Sequence, residues 1–295
     1  MDLKERLSND FAIYPVQELT EIGKGISSNA KLVVTLDRKY ILRKVIDRKQ
    51  AITEYKISKA LSELNISSDI LKCKRNQPFI EFEGEIYNIQ TFIPNHQVEN
   101  KIDYYNLGKV ISLFHSEVQR IDGLFEQNDR FSLTNMWKQL KQRNDFDHFD
   151  LNRQLTVMVE QCLSYHHINN CYIHGDLGKW NLLFDNKDIY IIDFGEVRRG
   201  NNHFDISAVI SSMIDWSQKE EDIITFLIDF RKGYIENFRQ FDWILLRENL
   251  TLWFTRGIIA LLVNNGINYR TCNILNTIIE RQDRLNHIIK QVSST

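Results

Sequence analysis

The chain has 295 residues, 43% hydrophobic and 26% charged, with only 3 prolines and 12 glycines, which allows a sizeable core and excludes long disordered tracts. The formal charge of -2, from 37 Lys+Arg against 39 Asp+Glu, gives no global field for holding nucleic acid, so phosphate binding has to be local. The four cysteines, Cys73, Cys162, Cys171 and Cys272, form no CxxC pair, and no charged leader opens the chain, so a cytoplasmic protein with reduced thiols is expected.

From Leu32 to Val45 β-branched and polar residues alternate, break at Asp37 and Arg38, and resume at Tyr40, which predicts a hairpin. Asp47 to Leu64 carries Ile52, Tyr55, Ile57, Ala60, Leu61 and Leu64 at helical spacing, with Asp47 placed to cap the first turn. Phe79 to Phe92 predicts a second hairpin turning at Glu83 and Gly84. After Pro94 the character changes: Tyr104 to Val118, Leu151 to Ile168, Ile223 to Phe238, Ile244 to Val263 and Thr271 to Val292 all read as helices. Leu252 to Val263 is the most apolar late stretch, but it carries Arg256 and is shorter than the ~20 residues a bilayer span needs. It reads as a buried helix. One hairpin interrupts the helices, with strands Asn181 to Phe184 and Ile189 to Asp193 joined by a turn at Asp185 to Asp188. The fold class is thus α+β, and the seam at Thr91 to Asn95 separates a sheet-rich lobe, 1–93, from a mainly helical one, 94–295.

The chemistry is concentrated in Tyr172-Ile173-His174-Gly175-Asp176-Leu177-Gly178-Lys179-Trp180-Asn181, followed by Asp193-Phe194-Gly195. Phosphoryl transfer needs a carboxylate that orients or deprotonates the acceptor hydroxyl and oxygen ligands for Mg2+ on the phosphates. Asp176, Asn181 and Asp193 can supply these groups, and Asp176 and Asn181 have the spacing of a kinase catalytic loop. A hairpin that brings its ends together would set Asn181 beside Asp193.

On these residues, and on Phe204-Asp205-Ile206-Ser207-Ala208, the sequence resembles the aminoglycoside phosphotransferase and choline kinase family of small-molecule kinases. The resemblance implies a protein-kinase-like two-lobed fold binding MgATP between its lobes. It makes Asp176 the catalytic base or orienter, Asn181 and Asp193 the magnesium ligands, and His174 and Asp205 supports of the loop. His-Gly-Asp replaces the His-Arg-Asp of regulated protein kinases, and no Ala-Pro-Glu follows Asp193, which favours a small acceptor over a protein.

The same reading assigns the N-terminal half. Gly23, Gly25, Ser27 and Ser28 would form the phosphate loop, although a third glycine is missing. Arg43, with Lys44 as its rival on the opposite strand face, would bind the phosphates and be held by Glu54, while Gln90 to Phe92 would form the hinge against the adenine. Phe238, Phe241, Trp243, Trp253 and Phe254, with Asp215 or Glu248, are either core or acceptor pocket. His115, His148, His166 and His167 lack zinc-like spacing, so no zinc site is expected. The expected activity is ATP- and Mg2+-dependent transfer to a hydroxyl of a small molecule, an aminoglycoside, amino alcohol, homoserine-like compound or sugar, with GTP as an alternative donor. The rival readings are a nucleotide-binding pseudokinase and a protein kinase. No nucleic-acid or membrane partner is expected, and the state is monomer or homodimer.

Overall fold

The computed structural model describes residues 2–13, 15–22, 30–95, 102–147, 149–165 and 168–294. In chain order the elements begin α1 (Leu3–Phe11), β1 (Val16–Glu21), β2 (Ala30–Thr35), β3 (Lys39–Val45), α2 (Arg48–Ser62), β4 (Ile80–Phe82), β5 (Glu85–Thr91). They continue α3 (Tyr104–Val118), α4 (Leu133–Lys141), α5 (Asn152–Ser164), β6 (Cys171–Ile173), β7 (Leu182–Asp185), β8 (Asp188–Ile191), β9 (Arg198–Gly200). The chain then runs through α6 (Asn202–Met213), α7 (Glu220–Tyr234), α8 (Trp243–Asn265) and α9 (Tyr269–Ser293). Two compact units result: Met1–Ile102 with Ser116–Gln127 and Asn181–Val197, and Asp103–His115 with Asn128–Trp180 and Arg198–Thr295.

The first unit is built on an antiparallel five-stranded sheet in the order β1-β2-β3-β5-β4. Tyr40 and Leu42 of β3 pack with Leu7 and Phe11 of α1 and Val33 of β2, while Val45 packs with Ala51 of α2 and Phe79. The 1% exposure of Leu42 corresponds to about 2 kcal/mol of hydrophobic stabilisation, and its truncation would add a cavity term. Strand alternation turns Arg43 away from Leu42, and Arg43 pairs in register with Asn88 of β5. The Asp47 side chain caps α2 by accepting from Gln50 N at 2.7 Å, as the sequence predicts. Helix α1 was not anticipated, although Asp2 and Glu5 form a capping box and Leu3, Leu7 and Phe11 share a face.

The second unit is mainly helical. Its core joins Trp137 and Leu140 of α4, Leu155 and Val159 of α5, Ile258 and Leu262 of α8, and Leu275 of α9. The 23 residues of α8 contain the stretch read as a buried helix, and no helix among the described residues is long and apolar enough to cross a membrane. β6 and β9 pair as a two-stranded ribbon, with Cys171 opposite Gly200, and hold the segment that leads into His174.

Candidate active site

In the first unit, β3, α2 and β5 converge on one buried carboxylate. Glu54, at 0% exposure, accepts from Gln50 Nε2 and from Asn88 Nδ2, each at 2.9 Å. Its Oε2 also stands 3.4 Å from Arg43 Nη1. Burial pushes the Glu54 carboxyl above its ordinary value and the charge of Asp193 adds to this, against the pull of Arg43, Asn88 and Gln50. Burial by itself would lower the Arg43 pKa, but Glu54 and Asp193 outweigh it and keep the guanidinium firmly charged. Removing one member of such a group leaves a buried charge uncompensated, at a cost of ~3–5 kcal/mol.

Arg43 also reaches the end of a hairpin, with Nη2 2.6 Å from Asp193 Oδ1. β7 and β8 pair in register, Leu182 opposite Ile191, and Ile192 N donates to the Asn181 carbonyl at 3.1 Å. The hairpin therefore brings Asn181 alongside the residue that precedes Asp193, as the turn at Asp185 to Asp188 leads one to expect. Asp193 has φ 67°, ψ 68°, a left-handed conformation uncommon outside glycine, and it caps the short helix Phe194–Glu196 by accepting from Gly195 N. A Cβ on Gly195 would lie 2.6 Å from Gln50 Nε2 and 3.3 Å from both Asp193 Oδ1 and Glu54 Oε1, so a larger residue here would have to shift the Gln50 amide away from Glu54.

The His-Gly-Asp loop belongs to the second unit. Gly175 has φ 82°, so the backbone turns and the N–H groups of His174 and Gly175 both donate to Asp205, at 2.6 and 3.0 Å. Asp205 is completely buried, and its Oδ2 stands 3.1 Å from His115 Nε2. The other His115 nitrogen contacts the Tyr234 hydroxyl at 2.8 Å. Burial alone would raise the Asp205 carboxyl, but the His115 hydrogen bond, the charges of His115 and His174 and the His174 backbone bond hold it below its ordinary value. His174 Nδ1 in turn accepts from Asp176 N at 3.4 Å. His115 thus supports this loop rather than ligating a metal, a role sequence reasoning missed because the two partners lie 90 positions apart.

Asp176 opens into a cavity of about 380 Å³ lined also by Trp180, Trp216, Trp253, Phe254 and Arg281. Trp180 Nε1 donates to Asp176 Oδ2 at 3.3 Å, and its ring stands near-parallel to that of Trp253, 18° between planes. Of the aromatic candidates, Trp253 and Phe254 face this cavity; Phe238, which lies against His115 and Tyr234, and Phe241 and Trp243, which pack edge to face, do not line it. Trp180 and Trp216 were missed, although an aromatic beside the Asp176 loop was a visible signal. Neither acidic candidate lines the cavity. Asp215 accepts from Ser217 N and Oγ, and Glu248 faces a separate cavity of about 420 Å³ with Gln154 and Arg247.

The remaining predicted residues fall in different places. Gly23, Gly25, Ser27 and Ser28 lie outside the described residues, as do His148, His166 and His167. Lys44 is on the far strand face, 2.7 Å from Glu85, leaving Arg43 as the cation on the Glu54 face. The Gln90 side chain is taken up internally, accepting from Ser68 Oγ at 3.2 Å and donating to Asn88 at 3.3 Å, so it braces the Glu54 cluster. Phe92 N donates to the Lys39 carbonyl at 3.3 Å, and its ring, 37% exposed, lies under the Lys39 ammonium.

Among the described residues no group of three or more His, Cys, Asp and Glu could hold a metal ion. Mg2+ does not require one: it takes one or two protein oxygens and completes its octahedron with water and phosphate. Asn181 and Asp193, oxygen donors at adjoining hairpin ends, fit that demand, and the Asp193 carboxylate is half-exposed.

No curated protein matches the sequence. Solved structures with the same fold include an amicoumacin kinase in complex with AMP-PNP, Ca2+ and Ami, with a TM-score of 0.73 at 14% identity over 95% of this chain and 92% of the other. A spectinomycin phosphotransferase in complex with ADP and spectinomycin gives 0.65 at 16% identity, over 98% of this chain and 96% of the other. The choline kinase LicA from Streptococcus pneumoniae gives 0.63 at 12% identity, over 95% and 97%. The sequence model of the phosphotransferase enzyme family, APH, matches residues 18–244, and the chain belongs to that family.

Proposed function

We propose that this phosphotransferase moves the γ-phosphate of ATP to a hydroxyl of a small molecule, with Mg2+ as the resident ion. The observation that carries the reading is the Arg43 guanidinium held between buried Glu54 and half-exposed Asp193. A cation fixed by a buried carboxylate and facing a carboxylate at a hairpin end suits a phosphate chain and its metal. Arg43 would bind the phosphates, with Glu54, Asn88 and Gln50 setting its direction. Asn181 and Asp193 would hold Mg2+, which when bound neutralises phosphate charge. Gly23, Gly25, Ser27 and Ser28 remain the proposed phosphate loop, and Gln90 and Phe92 the proposed hinge.

Asp176 would orient the acceptor hydroxyl and take its proton, with the loop shaped by His174 and Asp205. The acceptor would sit in the cavity onto which Asp176 opens. Neighbours in complex with AMP-PNP and with ADP support a nucleotide donor. In this scheme 1–93 is the nucleotide-binding lobe and 94–295 the catalytic and acceptor-binding lobe of a cytoplasmic monomer or homodimer that binds neither nucleic acid nor membrane. The test is ADP release across a panel of small hydroxyl compounds, with Asp176→Asn as the blank. The variant is expected to lose ~100-fold or more in turnover, the scale of a positioned acid or base group. Equal ADP release by both proteins with every acceptor would contradict the assignment.

A further inference from the structure

The walls of the Asp176 cavity say what kind of molecule carries the hydroxyl, an inference that rests on reading Asp176 as the group that directs the acceptor. We propose that the acceptor presents a flat, apolar ring system of neutral or anionic charge, and that polycationic aminocyclitols are not its substrates. Three of the chain's five tryptophans, Trp180, Trp216 and Trp253, line this cavity of about 380 Å³. Trp180 is 56% exposed, and its ring lies 6.4 Å from that of Trp253 with 18° between planes. Large aromatics left at a concave surface with their faces aligned are costly to leave in water and well suited to a second ring.

Charge argues in the same direction. Asp176 is the only carboxylate among the described lining residues, whereas Arg256 and Arg281 are both cations. Arg256 already has its counter-ion in Asp129 at 2.7 Å, and it donates to the Phe131 carbonyl at 2.7 Å. Arg281 lies 5.3 Å from the centre of the Trp216 ring, so one of the three indoles already has a cation over its π face. With Arg256 neutralised by Asp129, a molecule with several ammonium groups would meet a single carboxylate with the Arg281 guanidinium in the same wall, which leaves most of its charge uncompensated. An apolar ring meets three indoles, and an anionic substituent meets Arg281.

The experiment titrates the protein, with MgATP present, with 2-naphthaleneethanol, 6-hydroxymethyl-2-naphthoate, choline and a 2-deoxystreptamine tetraamine. Tryptophan fluorescence reports binding and ADP release reports transfer. Saturable quenching by the two naphthalene compounds is expected, with the naphthoate tighter. Trp216→Ala should raise their Kd and KM by about 10-fold, the upper scale of one aromatic pair, with kcat changed less. Arg281→Glu should reverse the order of the two naphthalene compounds. Lack of quenching by both, a KM for the tetraamine or choline below theirs, or an unchanged Kd in Trp216→Ala would each overturn the proposal. The two readings fail separately. Normal turnover in Asp176→Asn with Trp216-dependent binding would remove the role of Asp176 and leave the acceptor class standing. Tetraamine turnover that Asp176→Asn abolishes would do the reverse.

Discussion

Replacing Asp205 by asparagine removes a charge and one acceptor from a site with no access to water. The carboxylate receives the His174 and Gly175 N–H groups at 2.6 and 3.0 Å and stands 3.1 Å from His115 Nε2. An amide keeps its oxygen on one side only, so its NH2 must face at least one loop N–H. The unsatisfied donor costs ~1–3 kcal/mol, and the lost charge-assisted bonds cost ~1.5–3 kcal/mol more. A total of about 4 kcal/mol corresponds to a Tm lower by roughly 6 °C in a chain of this size. Thermal unfolding followed by circular dichroism at pH 7 reads this directly, and turnover measured well below the Tm should fall as the Gly175 turn loosens.

The acid limb supplies the sign. The folded Asp205 carboxyl lies below its ordinary value of 3.8, so the stability it contributes is complete above about pH 5 and is lost as pH falls through the lower folded value. The gap between wild type and variant should thus stay constant from pH 5 to pH 8 and shrink below about pH 4. A Tm within about 2 °C of wild type, or a gap that widens in acid, would refute the assignment of the carboxylate as the clamp on this loop.

His203 should give a second pH effect. Its Nε2 accepts from Asp242 N and its Nδ1 donates to Asn201 Oδ1, both at 2.8 Å, which fixes the neutral ring; burial lowers its pKa from 6.5 to about 4. The unfolded chain then binds a proton that the folded chain refuses, and stability should fall by about 3 kcal/mol as pH drops from 6.5 to 4. Urea midpoints across that window should slope in wild type and flatten in His203→Gln; parallel slopes would contradict the neutral tautomer. Gly195→Ala places a Cβ 2.6 Å from Gln50 Nε2 and should cost ~1–3 kcal/mol in urea while weakening ATP binding. Wild-type midpoint and affinity together would show that the turn does not need to approach α2 so closely.

Local chemistry was legible in the sequence and long-range pairing was not. The hairpins at Asp37 and Glu83 announce themselves through turn residues between alternating strands, and the α+β class follows from them and from the helical periods after Pro94. Arg43 and Glu54 could be paired on paper because kinase chemistry demands a cation and its carboxylate holder; the contact of Arg43 with Asp193 and the choice over Lys44 needed the structure. The capping box of α1 was present as Asp2 and Glu5, but nine residues with two buried side chains leave a weak periodic signal. Helix α4 was missed although its buried Leu133, Met136, Trp137 and Leu140 stand at i, i+3, i+4 and i+7, the spacing of one helical face. Nothing in the order of residues indicates that Trp180 would align with Trp253, or that His115 would lean on Asp205. Those contacts depend on where whole helices dock, which composition and spacing do not encode.

The central claim is that Asp193, braced by Arg43, helps hold the metal on a bound nucleotide, and calorimetric titration with ATP tests it most directly. Wild-type protein should bind ATP more tightly with Mg2+ than without. Asp193→Ala should lose that difference and ~10–100-fold in MgATP affinity, the scale of a missing metal contact, while Asp176→Asn keeps both. Wild-type MgATP affinity in Asp193→Ala would contradict the claim.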